Sequence, residues 1–224
     1  MIERIRVGEI KFPEIRVNPA DLHKVRGYFA NQFRHLELLH NHRPGTNGFY
    51  YRYPAVQFKL TGHLSILGFQ SQGIEVLKEL FLKTGEILVE GRQVAVRDRE
   101  IEVKEELFGE DGENHTYEFL TPWIALNQEN FADYQGLAND RERRAKLEAI
   151  IVNNIISFCK FAGYTVQGRL RVKGHFRPMS ANLKGKVHLA FMGGFSVDFL
   201  LPDLLGLGKS TSRGYGAIRK IDKM

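Results

Sequence analysis

Alternating apolar and polar residues predict a β-hairpin in the first third of the chain. The alternation covers residues 54–60, and Gly62 turns the chain into a second strand at residues 63–69. A short segment rich in β-branched residues predicts an earlier strand at residues 2–7. Three further strands are predicted downstream, at residues 86–90, 94–103 and 115–121.

Helical spacing replaces the alternation at two places in the same region. Asn18 is suited to cap a helix and Pro19 to occupy its first position, and apolar residues then recur every three or four positions up to Leu36. A second helix is predicted over residues 73–83, where Gly85 ends it. The order strand, helix, strand, strand, helix, strand is that of a ferredoxin-like domain.

A second unit of the same class is predicted after Thr121-Pro122 interrupts the pattern. Asn139 and Glu142 form a capping box at the start of a long helix that Gly163 ends. Strands follow at residues 165–173, 186–200 and 215–221. We therefore predict an α+β protein with two tandem ferredoxin-like (RRM-like) domains and antiparallel sheets, at residues 1–122 and 123–224.

Composition limits the class of protein. A chain of 224 residues with 43% hydrophobic content can build packed cores. Apolar runs stay well short of the roughly 20 residues of a membrane span, and we expect no signal peptide. The single cysteine, Cys159, excludes an internal disulfide and fits a reducing cytoplasm.

The net charge of +6 is concentrated near the C-terminus. Residues 163–224 carry 11 Lys and Arg against 3 Asp and Glu. This basic segment is interleaved with aromatic residues, a combination that suits a polyanion such as RNA. A solvated basic face without a partner is the alternative.

Residues 206–216 read Gly-Leu-Gly-Lys-Ser-Thr-Ser-Arg-Gly-Tyr-Gly. Because glycine lacks a Cβ atom, backbone N–H groups and the cations of Lys209 and Arg213 can approach a phosphate closely. The segment is not a Walker loop, since Gly-Lys-Ser comes too early and leads into a strand. A mobile turn is the alternative interpretation.

The segment His40-Asn41-His42-Arg43 follows the first predicted helix. A neutral histidine can take the proton from a ribose 2'-hydroxyl, a protonated histidine can donate a proton to the 5'-oxygen leaving group, and a cation can stabilise the transition state. Two exposed loop histidines without a function are one alternative. A zinc pair is another, but a third ligand of convincing spacing is absent. Tyr51 is suited to orient a phosphate, to stack on a base or only to pack.

Both segments resemble the CRISPR-associated endoribonucleases that cut precursor CRISPR RNA within its repeats, in the repeat-associated mysterious protein superfamily. The resemblance lies in residues 206–216 and in residues 39–43 followed by 51–59. It implies tandem ferredoxin-like folds, metal-independent cleavage to a 2',3'-cyclic phosphate and a 5'-hydroxyl, and recognition of repeat RNA by a basic face. A histidine after the first helix commonly acts as the base in that family, which corresponds here to His40 or His42.

We therefore predict a cytoplasmic, metal-independent endoribonuclease that needs no cofactor. Its predicted partner is CRISPR repeat RNA, and CRISPR effector subunits or a second copy of the chain are further partners that the resemblance leaves open. A non-catalytic RNA-binding scaffold subunit of a CRISPR ribonucleoprotein is the alternative. The catalytic candidates are His40, His42 and Tyr51, and the RNA-binding candidates are Arg43, Arg52, Lys173, His175, Arg177, Gly208, Lys209, Ser210 and Arg213.

Overall fold

The computed structural model describes residues 1–40, 52–183 and 185–221. The chain divides into two compact units. The N-terminal unit comprises Ile5–Glu106 and Ser212–Gly214, and the C-terminal unit comprises Met1–Arg4, Leu107–Thr211 and Tyr215–Met224. Each unit therefore contains a short piece of chain from the opposite end of the sequence.

The N-terminal unit is built on a four-stranded sheet. Its elements are β1 (Ile2–Phe12), α1 (Leu22–Gln32), β2 (Val56–Leu60), β3 (Leu64–Phe69), α2 (Gln70–Lys83), β4 (Glu86–Val89), β5 (Arg92–Ala95) and β6 (Glu100–Gly109). The strand order β2-β3-β1-β6 is that of a ferredoxin-like sheet, and β4 and β5 form a separate hairpin. The predicted hairpin of residues 54–69 is confirmed as β2 and β3. The strand predicted at residues 94–103 is instead two strands, because residues 96–99 leave the ladder and β6 joins the main sheet.

The alternation along β2 explains how this sheet is buried. Val56 and Phe58 lie in the hydrophobic core of the unit, whereas Gln57 and Lys59 lie on the opposite face of the strand. All four side chains are buried.

The first helix begins as predicted but ends earlier. The Asn18 side chain accepts a hydrogen bond from the backbone of Ala20 at 2.9 Å, and Pro19 opens a 3-10 turn that leads into α1. Helical hydrogen bonding then stops at Gln32, and residues 33–39 form tight turns. Phe33 and Leu36 still pack against the core, although they lie in turns and not in a helix. Their spacing in the sequence therefore indicated burial correctly but the helix end wrongly.

The C-terminal unit repeats the same sheet order. Its elements are β7 (His115–Phe119), α3 (Gln128–Gly136), α4 (Asp140–Ala162), β8 (Val172–Leu183), β9 (Lys186–Val197) and β10 (Ile218–Ile221). The order β10-β7-β9-β8 matches a ferredoxin-like sheet. Within the described range between β9 and β10, glycine-rich chain stands where a second helix would normally lie. The predicted fold class of two tandem ferredoxin-like domains is therefore confirmed.

Two boundaries differ from the sequence-based expectation. β7 pairs with β9 and β10, so it belongs to the second sheet, and the compact units divide at Glu106 and Leu107 instead of at Pro122. Alternation predicts that a segment is a strand but not which sheet it joins. The strand predicted over residues 165–173 begins instead at Val172.

The long helix α4 is capped as its sequence predicts. The side chain of Asn139 accepts a hydrogen bond from the backbone of Glu142 at 3.0 Å, and Gly163 adopts a left-handed conformation with φ of 79°. No helix within the described ranges is both long and apolar enough to cross a membrane.

Candidate active site and nucleic-acid interface

His40 stands at the end of the turns that follow α1. Its backbone is extended, with φ of −109° and ψ of 143°, and its N–H donates to the carbonyl of Glu37 at 3.0 Å. The Nε2 atom is buried and has no hydrogen-bond partner among the described residues. The other predicted residues of this segment, His42, Arg43 and Tyr51, lie outside the described residues. Arg52 is described and is exposed.

Arg26, which the sequence-based prediction missed, is linked to the chain beside His40. This arginine lies on α1 with only 9% of its surface exposed, and its Nη2 donates to the carbonyl oxygen of Leu39 at 2.8 Å. Burial, followed by the charge of Arg213, lowers the pKa of Arg26 to about 10. In the sequence, Arg26 stands among the apolar residues of α1, and nothing in that pattern indicates that its side chain is buried and hydrogen-bonded.

Arg213 belongs to the N-terminal unit although it comes from the glycine-rich segment. It forms a parallel bridge with Phe58, and the Phe58 N–H donates to the carbonyl of Ser212 at 3.4 Å. The segment therefore continues the sheet beyond β2, its edge strand. At Gly214, with φ of 91°, a Cβ atom would overlap the side chain of Leu22. Arg213, Arg26 and His40 thus belong to one compact unit.

The rest of the glycine-rich segment is fixed within the C-terminal unit. The Lys209 N–H donates to the carbonyl of Ile124 at 2.9 Å while the Lys209 side chain is exposed. A Cβ atom on Gly208 would lie 2.5 Å from Nε1 of Trp123. Ser210 has a positive φ of 61°. These contacts describe an ordered, closely packed segment that presents the Lys209 ammonium to solvent.

Three of the predicted RNA-binding residues, Lys173, His175 and Arg177, occupy alternate positions on β8 and are exposed. β8 is an edge strand of the second sheet. The alternation begins earlier, because Arg169 and Arg171 are also exposed while the intervening Leu170 and Val172 are buried. These five residues, called here the basic row, are Arg169, Arg171, Lys173, His175 and Arg177.

The basic row was only partly predicted, although its signal is present in the sequence. Every second residue from 169 to 177 is basic, and alternate residues of an extended chain point to one side about 6.6 Å apart. The strand was predicted to end at residue 173, so His175 and Arg177 were not placed on it, whereas β8 continues to Leu183. The row contains four Lys and Arg residues, of which Arg171 is paired with Asp198, and the cations that extend into solvent suit the phosphates of a nucleic-acid strand.

The first part of the basic row lines a cleft of about 690 Å³ whose opposite wall is α4. Ala145, Ala149 and Val152 form the helix wall, and their small size keeps the cleft open. Glu148, also in the wall, accepts a hydrogen bond from the backbone of Gly174 at 3.0 Å. This bond occupies an outward-facing amide of the edge strand.

Two carboxylates hold the strand wall of this cleft in place. The Glu110 carboxylate accepts from the backbone of Gln167 at 2.9 Å and of Gly168 at 3.0 Å. These bonds and that of Tyr164 lower the pKa of Glu110, although burial opposes them. Asp198 accepts from both the backbone and the side chain of Arg171, at 2.8 and 2.9 Å. The chain that carries the first part of the basic row is therefore held in place by hydrogen bonds within the protein.

Within the described part of the chain, no group of three or more His, Cys, Asp or Glu residues is arranged to hold a metal ion. His35, which lies in a turn and not on the predicted helix, contacts Glu79 at 2.8 Å.

Comparison with known proteins gives matches over both units. Residues 3–107 match the Cas6b N-terminal domain and residues 109–221 match the Cas6b C-terminal domain. An uncharacterized protein of Methanocaldococcus jannaschii is 33% identical over 146 residues, which cover 65% of this chain and 99% of that protein.

Solved structures agree with the sequence matches. A crystal structure of Cas6b has 31% identity and a TM-score of 0.92, covering 98% of this chain and 100% of the other. The crystal structure of a CRISPR RNA processing endoribonuclease Cas6b has 27% identity and a TM-score of 0.80, again over 98% and 100% of the two chains. A Cas6-related protein from Pyrococcus furiosus, with 13% identity, a TM-score of 0.56 and full coverage of both chains, shares the fold. Since the two domain models together span nearly all residues, the chain belongs to the Cas6b family.

Proposed function

We propose that this protein is an endoribonuclease that processes precursor CRISPR RNA by cutting within its repeats. Membership of the Cas6b family supports this function, as does the similarity to a CRISPR RNA processing endoribonuclease. The observation that carries the proposal is the presence of His40 and Arg213 in one compact unit, together with the hydrogen bond from Arg26 to Leu39, the residue before His40. A proton-transfer group and a cation from the glycine-rich segment are the two components that metal-free phosphodiester cleavage requires.

The proposed reaction uses the nucleophile already present in RNA. A histidine base removes the proton of the ribose 2'-hydroxyl, and the 2'-oxygen forms a bond to the adjacent phosphorus. The bond between phosphorus and the 5'-oxygen breaks, and a protonated histidine donates a proton to that oxygen. The products are a 2',3'-cyclic phosphate and a 5'-hydroxyl, with no change in oxidation state and no metal in the step.

His40 and His42 are the proposed acid and base. A buried imidazole nitrogen without a hydrogen bond costs on the order of 1–3 kcal/mol, so the unsatisfied Nε2 of His40 favours a site that a polar group of the substrate completes. Tyr51 is the proposed third participant, through orientation of the phosphate.

RNA is proposed to bind through exposed cations of both units. The basic row supplies regularly spaced charges in the C-terminal unit, and Lys209 adds a cation on a closely packed segment. In the N-terminal unit the proposed contacts are Arg43, Arg52 and Arg213. Gly208 and Ser210 are proposed to present backbone groups to a phosphate. CRISPR effector subunits and a second copy of the chain are further partners that the family resemblance leaves open.

The test is cleavage of repeat RNA in excess EDTA, with chemical mapping of the product ends. The wild-type protein is expected to leave a 2',3'-cyclic phosphate and a 5'-hydroxyl. The double variant His40→Ala/His42→Ala is expected to bind RNA with nearly unchanged affinity but to cut at least about 100-fold more slowly. His35→Ala, which removes a nearby histidine already bonded to Glu79, is the matched control and should cut normally.

Other outcomes assign other functions. Tight, salt-sensitive binding of repeat RNA without cleavage would identify a scaffold subunit. Cleavage that EDTA abolishes and stoichiometric zinc restores would identify a metal-dependent hydrolase. Full activity in the double histidine variant would place the catalytic groups elsewhere.

A further inference from the structure

Arg26 is the one charged residue among the buried residues of α1, which are otherwise apolar. Val25 and Phe29, its neighbours on the helix, belong to the hydrophobic core, and Arg26 itself is 9% exposed. Burying a guanidinium is costly unless its N–H groups are hydrogen-bonded. One hydrogen bond that the guanidinium makes is the 2.8 Å bond from Nη2 to the carbonyl oxygen of Leu39.

This bond acts on the chain directly before His40. The turns of residues 33–40 are held by short-range bonds, from Leu36 N to Phe33 O, from Leu39 N to Leu36 O and from His40 N to Glu37 O. Those bonds shape the turns but do not attach their last residues to α1. Leu39 is held by burial of its side chain in the hydrophobic core, and Arg26 adds a hydrogen bond to its backbone across 13 residues of sequence.

We propose that Arg26 is a positioning residue for RNA cleavage, fixing the Leu39 backbone and with it the place from which the His40 side chain projects. The inference rests on the proposed function of the His40 segment. Arg26 does not contact the substrate in this scheme, because its guanidinium is buried. A shift of about 1 Å in a catalytic group can slow a reaction about 100-fold, so a small displacement of His40 on loss of this bond would reduce the cleavage rate.

Arg26 and Arg213 differ in exposure to solvent. Arg213 is partly exposed on the edge of the sheet, whereas Arg26 is buried beneath the turns. Neutralising Arg213 should therefore weaken RNA binding, and neutralising Arg26 should reduce the rate of the chemical step. The two substitutions separate binding from positioning within one unit.

The experiment measures single-turnover cleavage at saturating repeat RNA, the Kd of the RNA and the thermal midpoint for four proteins. These are the wild type, Arg26→Gln, Arg26→Lys and the control Tyr28→Phe. Tyr28 also lies on α1 and donates from its hydroxyl to a backbone carbonyl, that of Glu86 at 3.1 Å, so Tyr28→Phe removes a similar bond that leads away from His40.

Arg26→Gln is expected to cut about 10- to 100-fold more slowly across the pH range, with a Kd within about threefold of wild type. Arg26→Lys should recover part of the rate, since a lysine keeps the charge and a donor but not the planar geometry of the guanidinium. Tyr28→Phe should cut at the wild-type rate even if its thermal midpoint falls.

A folded Arg26→Gln that cuts at the wild-type rate would overturn the inference, as would an equal loss of rate in Tyr28→Phe. If Arg26→Gln does not fold, Arg26→Met, which keeps an apolar stem but has no donor, decides the question, and a rate within twofold of wild type overturns the inference. A wild-type protein that binds RNA but never cuts it refutes the proposed function instead. The two failures are therefore distinguishable.

Discussion

Lys59 and Ser65 lie directly opposite each other across the β2–β3 ladder, and both side chains are fully buried. Neither Lys59 Nζ nor Ser65 Oγ has a hydrogen-bond partner among the described residues. Loss of hydration lowers the pKa of Lys59 to about 7. The N-terminal unit therefore contains a lysine whose charged form opposes folding.

Replacing Lys59 by methionine is expected to stabilise the protein at pH 7 by at least about 1 kcal/mol, since one pKa unit corresponds to about 1.4 kcal/mol. Between a folded pKa of about 7 and the ordinary value of 10.5, the unfolded chain binds more protons. Wild-type stability should therefore rise with pH across this window, and below pH 7 the destabilisation is complete. The rise should be reduced in Lys59→Met.

Urea unfolding at pH 6, 8 and 10 measures this effect. Lys78→Met is the control, because Lys78 is exposed on α2 and pairs with Glu75, and it should leave the pH dependence unchanged. A Lys59→Met protein that is less stable at pH 7, or that keeps the wild-type rise, contradicts the prediction.

Gly216→Ala is expected to destabilise the C-terminal unit by more than about 1 kcal/mol. Gly216 has φ of 65°, and an added Cβ would overlap the carbonyl of Leu207, whose N–H in turn donates to the Gly216 carbonyl at 2.9 Å. Gly27→Ala is the matched control: Gly27 lies within α1 with no atom close to an added Cβ. It should stabilise by about 0.5–1 kcal/mol. Denaturant midpoints compare the two, and equal midpoints would refute the packing argument.

The double variant Arg169→Gln/Lys173→Gln is expected to reduce the salt dependence of RNA binding. Each lost phosphate contact to single-stranded RNA lowers the slope of log Kd against log salt by about 0.7, so the pair should lower it by about 1.4. The control, Lys78→Gln/Lys83→Gln, removes two cations already paired with Glu75 and Glu79 on α2. If both double variants give the wild-type slope, the basic row does not contact RNA.

Cys159 is expected to resist alkylation in the native protein. It is 1% exposed on α4, and burial, followed by the charge of Glu110, raises its pKa to about 12. Because the thiolate is the reactive form, iodoacetamide at pH 8 should modify it at least about 100-fold more slowly than in denaturant. Mass spectrometry measures both rates, and rapid native labelling would show that α4 opens readily.

Local sequence predicted the elements more reliably than their partners. The hairpin β2–β3 and the caps of α4 depend on residues close in sequence, and both are present. The assignment of β7 to the second sheet depends on pairing with β9, about 80 residues away, and no local pattern encodes that choice.

The candidate site shows the same division. Arg213 was predicted as an RNA contact from the glycines beside it, and the structure adds its bridge to Phe58. Arg26 could not be predicted, because its role arises from a contact with a turn 13 residues away. The first helix was also expected to run to Leu36, whereas residues 33–39 form the tight turns that bring Leu39 to Arg26.

The short excursion of Ser212–Gly214 into the N-terminal unit has a consequence for biosynthesis. A ribosome must polymerise more than 210 residues before the strand at this sheet edge receives its last neighbour, so the unit that begins first is among the last to be completed. Conversely, Met1–Arg4 are synthesised first but belong to the C-terminal unit, most of which is synthesised later. Separate expression of the two halves should therefore yield incompletely folded proteins, because each half lacks a segment that the other half supplies. A circular permutant keeps both segments and should fold.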